Sequence, residues 1–95
     1  MAVLHIVRNS AFNDNKLNLC LGLLSAKDTL FLMDDGVYNV AHPKLIRRLH
    51  EFKVFAVQDH LAARGVRSEE QAIVMAELKD LVEQSEKADK VITWQ

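Results

Sequence analysis

Cys20 is the single cysteine of the chain and its one strong nucleophile. With no C-x-x-C pair, a two-thiol redox cycle cannot run inside the molecule, and neither an internal disulfide nor a cysteine-based zinc site can form. A lone thiol suits a reducing compartment. Two roles are open to it. It falls on the inward stripe Leu17, Cys20, Leu21, Leu24, where a free cysteine packs as a small hydrophobe. Alternatively it accepts and passes on sulfur, although a place inside a helix offers no N-terminal dipole to lower its pKa.

The other chemistry-bearing side chains are more scattered. His5, His42, His50 and His60 show no metal-ligand spacing, and no Ser/His/Asp grouping is local. His5 lies within an apolar run, where a hydrogen-bonded structural histidine is the expectation. Asp34-Asp35-Gly36 could hold a hard cation, but no third carboxylate is near. The favoured reading is a tight turn, with Asp at its entry and Gly36 free to take φ > 0. The segment after the first apolar run, Arg8-Asn9-Ser10-Ala11-Phe12-Asn13, has no glycine, which excludes a dinucleotide fingerprint and a phosphate-binding P-loop. It also lacks the acidic residues of a phosphoacceptor. Lys44, Arg47, Arg48, Lys53, Arg64 and Arg67 gather in the middle third and read as a solvated face.

Alternating short apolar runs and longer periodic stretches must position these groups. Strands are expected over residues 2–8, Thr29–Met33, Lys53–Val57, Ala72–Met75 and Lys90–Trp94. Helices are expected over Lys16–Ala26, from Pro43 through Phe52, over Asp59–Arg64 stopped at Gly65, and over Glu77–Lys87. Asn13-Asp14-Asn15 supplies N-cap chemistry for the first helix, and Ser68–Gln71 could form a capping box. Strands alternating with helices build βαβ units. The expected fold is a single α/β domain over 1–95, a shortened flavodoxin-like three-layer α/β/α sandwich on a mostly parallel five-stranded sheet. In such sheets function gathers beyond the carboxyl ends of the strands.

Composition agrees. Ninety-five residues with 49% hydrophobic and 26% charged side chains describe one globular domain, not a disordered chain. A net charge of −1 argues against a stand-alone nucleic-acid binder. No signal segment is visible and no apolar run is long enough to cross a bilayer, so a soluble cytoplasmic protein is expected. Leu19 and Leu23 add a second apolar flank to the first helix, and a terminal Trp94 needs burial in the fold or against a partner. These three residues are the candidate partner interface.

The chain resembles the DsrH/TusB family, within the DsrE/DsrF/DsrH-like group of small sulfur-relay proteins. The likeness runs nearly full length. It rests on Leu4-His5 followed by Arg8-Asn9-Ser10, on DTLFLMDDGVY at 28–38, on KVFAVQDHLAARG at 53–65, and on the closing Trp94. Many relatives carry a proline shortly after that serine; here the place is Ala11.

The resemblance implies a subunit of a cytoplasmic complex with TusC- and TusD-like or DsrE- and DsrF-like partners, in a dimer of heterotrimers. That complex passes persulfide sulfur toward 2-thiolation of the tRNA wobble uridine or serves sulfur oxidation, with tRNA met only indirectly. The principal sulfur-carrying cysteine lies on the TusD/DsrE-like partner. DsrH-like members have a cysteine where Cys20 stands, which makes Cys20 a possible persulfide carrier, with Arg8 or Lys16 as a source of positive charge. No cofactor or metal is implied. The alternative is a homo-oligomeric scaffold that kept the fold and lost the relay.

Overall fold

A computed structural model of the chain describes residues 2–68 and 72–95. Among the described residues there are five strands: β1 Val3–Val7, β2 Thr29–Leu32, β3 Lys53–Val57, β4 Ile73–Ala76 and β5 Lys90–Trp94. They form one sheet in the order β4-β3-β2-β1-β5, and every neighbouring pair is parallel. Four α-helices connect them: α1 Lys16–Leu23, α2 Ile46–Leu49, α3 Gln58–Ala63 and α4 Leu78–Lys87. The α/β/α architecture is the expected one, with the sheet parallel throughout.

Strand alternation sends side chains into two separate cores. Val7, Leu30, Leu32, Val54, Ala56 and Ile73 point to one face, where they meet Leu17, Cys20 and Leu21 of α1, Leu49 of α2 and Leu61 of α3. Leu4, Phe31, Phe55, Val57 and Ala76 point to the other, where Leu81 packs from α4. The chain steps outward from β1 to β4 with its connections on the first face. It then returns over the second face through α4 to place β5 on the far side of β1. That return makes β1 the strand whose neighbours arrive from opposite directions, the usual locus of a site in an open α/β sheet.

Several local expectations change. A 3-10 helix occupies Asp34–Ala41 where a tight turn was expected. Gly36 is not at positive φ; Asp34 is, at 51°. Glycine is needed at 36 for a different reason: a Cβ there would run into the backbone carbonyl of Val7. Pro43 does not open a helix. The ring of His42 caps the chain instead, its Nδ1 accepting from the Lys44 and Leu45 N–H groups at 3.2 Å each, and α2 is only four residues long. Gly65 does end α3 at φ 63°. Residues 69–71 of the expected capping box lie outside the described residues. The capping chemistry of α4 comes from Asp80, whose Oδ2 accepts from the Glu77 N–H at 2.8 Å.

Candidate functional site

The carboxyl edge of the sheet gathers polar side chains from four strand ends. Arg8 follows β1. Its Nε donates to Asp34 Oδ2 at 2.6 Å and its guanidinium also reaches Gln95 Oε1 at 2.8 Å, so it ties the end of β2 to the end of β5. Asp34 is a non-glycine residue held in the left-handed region, a conformation that persists only where its surroundings over-determine it. Those surroundings are Arg8 and His60: the Asp34 N–H donates to His60 Nδ1 at 2.8 Å. An accepting Nδ1 places the proton of the neutral ring on Nε2. Arg64, one turn along from His60, donates from Nε to Asp35 Oδ1 at 3.0 Å.

Behind this edge Asn39 is fully buried and links two segments. Its Oδ1 accepts from the Ala11 N–H at 2.7 Å and its Nδ2 donates to the Asn9 carbonyl at 3.2 Å. The loop after β1 is thereby fastened to the 3-10 helix after β2. Between them lies an open cleft of about 450 Å³ lined by Ser10, Phe12, Asn13, Asp35 and Tyr38. Among the described residues no cluster of His, Cys, Asp or Glu forms a metal site, and no helix is long and apolar enough to cross a membrane.

Cys20 is not part of this edge. Its side chain has no exposure and sits in the first core between α1 and the sheet. Burial pushes the thiol from 9.0 to about 12, and the nearby Asp28 carboxylate adds to the rise. The charge acting on Cys20 is therefore negative. Arg8, one expected source of positive charge, is engaged with Asp34 and Gln95 instead.

The three candidate interface residues divide. Leu19 and Leu23 lie on the outer side of α1, 51% and 65% exposed. Trp94 is half-buried and turns inward onto the first core. Its indole Nε1 donates to His5 Nδ1 at 3.1 Å, with the rings stacked. His5 is buried, and its Nε2 stands 3.4 Å from Asp28 Oδ2. The buried Asp28 carboxylate also accepts from the backbone N–H groups of Val3 and Ser25, at 3.0 Å each. Burial pushes that carboxyl up, but the bonds from Ser25, Val3 and His5 outweigh it and hold the group below its ordinary value. His5 is thus the hydrogen-bonded structural histidine expected. Sequence reasoning missed its partners, and it missed the Arg8–Asp34–His60 set and Asn39 as well. The positions of Arg8 and Asp34 just beyond strand ends are the signal of the carboxyl-edge site.

Comparison with known proteins adds a family-level match. The model of a family described as DsrH like protein matches residues 9–91. No curated protein matches the sequence. Among solved structures, the crystal structure of the ychN protein from E. coli is similar with a TM-score of 0.77. The identity is 20%, and the match covers 99% of this chain and 100% of that one. At that identity the likeness speaks for the fold alone, which is the parallel α/β sandwich described above.

Proposed function

The chain belongs to the DsrH family of sulfur-relay proteins, and from that premise we propose that it is the accessory subunit of a cytoplasmic relay complex. It docks beside DsrE/DsrF-like or TusC/TusD-like companions, in a heterohexamer, and the reactive persulfide is carried mainly by a companion. The observation that supports the accessory role is Cys20. A thiol with no exposure and a pKa near 12 is almost wholly protonated at neutral pH, and the thiolate is the species that exchanges sulfur. Cys20 becomes a carrier only where assembly opens the space between α1 and the sheet.

The exchange itself needs no cofactor. A companion's thiolate attacks the outer sulfur of a donor persulfide, a new S–S bond forms, and the donor's inner sulfur leaves as a thiolate. The sulfur then goes toward 2-thiolation of the tRNA wobble uridine, or enters oxidation. The side that supports docking is the outer flank of α1, where Leu19 and Leu23 stand more than half exposed.

The test is reconstitution with companion chains encoded beside this one, followed by a persulfide donor and intact mass of each chain. The expected result is co-elution, with the mass of one sulfur atom gained by a companion. Leu19→Glu/Leu23→Glu should stay folded and fail to co-elute. A gain on this chain inside the complex that disappears in Cys20→Ser would make it a direct carrier. Failure of the chain to bind any companion would overturn the proposal and leave a homo-oligomeric scaffold.

A further inference from the structure

We propose that the cleft between the loop after β1 and the 3-10 helix is a receptor for a guanidinium group, the side chain of an arginine presented by a partner protein. The walls are aromatic and the polar rim accepts hydrogen bonds. Phe12 is 57% exposed although it is large and apolar. It is not loose: its N–H donates to Ser10 Oγ at 3.1 Å, and the next two N–H groups, those of Asn13 and Asp14, donate to the Ser10 carbonyl. Its ring leans on His42, centroids 4.8 Å apart. Tyr38 stands across the cleft, and its hydroxyl has no partner among the described residues.

The charge that lines the cleft is a carboxylate, offset in part by Arg64 behind it. Among the described residues Asp35 is its one charged lining group, and no Lys, Arg or His lines it. The Asp35 side chain is 59% exposed and Arg64 takes only its Oδ1, which leaves Oδ2 without a partner among the described residues. A guanidinium fits this combination. It is planar and weakly hydrated, lies flat on an aromatic face, and still aims N–H donors sideways at a carboxylate. A lysine ammonium matches the charge but not the plane. A nucleobase could stack on Phe12, but it brings phosphates, and the cleft offers no cation to neutralise them.

Preorganisation is the further argument. The cleft walls belong to different segments, and the fully buried Asn39 fixes one to the other through Ala11 and Asn9. A receptor whose spacing is set before the ligand arrives loses less entropy on binding. The inference names one contact of the accessory-subunit reading, but its test needs no companion, so the two can fail separately.

The experiment is an NMR titration of the full chain with N-acetyl-arginine methylamide, its citrulline and lysine analogues, and uridine monophosphate. Arginine should shift the signals of Phe12, Asn13, Asp35 and Tyr38 saturably. Citrulline, which has the shape without the charge, should bind at least about tenfold more weakly. Asp35→Asn and Phe12→Ala should each lose the arginine response while the core signals stay in place. Absence of a saturable shift would overturn the proposal. So would citrulline or lysine binding as tightly as arginine, or the nucleotide binding more tightly.

Discussion

Trp94 hands its indole proton to the Nδ1 of His5 across 3.1 Å, joining the last strand to the first. The bond fixes the histidine tautomer, because an accepting Nδ1 leaves Nε2 as the donor toward Asp28. Trp94→Phe keeps most of the ring and removes the donor, so a buried nitrogen loses its partner. The expected cost is about 1–3 kcal/mol. Urea unfolding followed by circular dichroism measures it, since this substitution removes the only tryptophan. In a double-mutant cycle with His5→Phe the two costs should be non-additive. Additive costs would mean that the bond contributes nothing of its own.

Asp28 gives the fold an acid-sensitive joint. Its carboxyl is held below the ordinary carboxylate value in the folded state. A depressed folded pKa stabilises the protein at every pH above the unfolded value of about 3.9. That stabilisation is lost as pH falls through the lower folded value. Asp28→Asn places an N–H₂ group where one oxygen accepts from backbone or imidazole donors, so the variant should be less stable at pH 7, by about 1–3 kcal/mol. From about pH 4 downward the gap should narrow, and it closes only below the lower folded value, where the wild-type carboxyl takes up its own proton. A gap that stays constant from pH 7 to pH 3 would refute the assignment.

The strands were legible because a parallel sheet covered on both faces writes itself as continuous apolar runs. Lys53–Val57, covered on both faces, has the expected bounds, and so does Lys90–Trp94, an edge strand without a buried residue that its β-branched run still marks. The stripe Leu17, Cys20, Leu21 was legible for the same kind of reason, since helical spacing puts it on one face. The 3-10 helix was not, because Asp-Asp-Gly is local turn chemistry and what overrides it is tertiary. Gly36, Val37, Asn39 and Val40 are buried against the sheet, and burial settles the backbone there. Nor could periodicity reveal the polar networks. Trp94 and His5 stand 89 positions apart, and Arg8 and Asp34 stand 26 apart. Only the sheet order, with β5 beside β1 and β1 beside β2, brings each pair together.

Gly36 is required by closeness. Val7 offers its carbonyl to the Met33 N–H at 3.1 Å, and the same oxygen occupies the space a Cβ on residue 36 would need. Gly36→Ala must therefore push the 3-10 helix off the end of β1, at an expected cost of about 1–3 kcal/mol. The Asp34 bonds to Arg8 and His60 move with it, so the His60 and Arg8 side-chain NMR signals should shift in the folded variant. Gly22 provides the contrast, because a methyl group added there would meet nothing within 4 Å. In the last turn of α1, Gly22→Ala should stabilise, by up to about 0.5 kcal/mol, through helix propensity. Equal effects at the two glycines would refute the close-approach account.

Cys20 makes the sharpest prediction because its burial and its chemistry oppose each other. With the thiol raised to about 12, roughly one molecule in 100,000 carries the thiolate at pH 7. Iodoacetamide should then label Cys20 in the isolated chain only as fast as α1 opens, and much faster in urea. The raised value also sets a sign for stability. The folded state is favoured fully below the unfolded thiol pKa near 9, and that contribution is lost as pH rises from there through 12. Cys20→Ala should lack this alkaline loss. At pH 7 it should cost about 1–2 kcal/mol through the space left between α1 and the sheet. Fast labelling of the native chain at pH 7, or an unchanged alkaline limb in Cys20→Ala, would show that the sulfur is open to solvent. The case for an accessory role would then lose its footing. Labelling that speeds up only after companions bind would locate the opening of α1 in assembly itself.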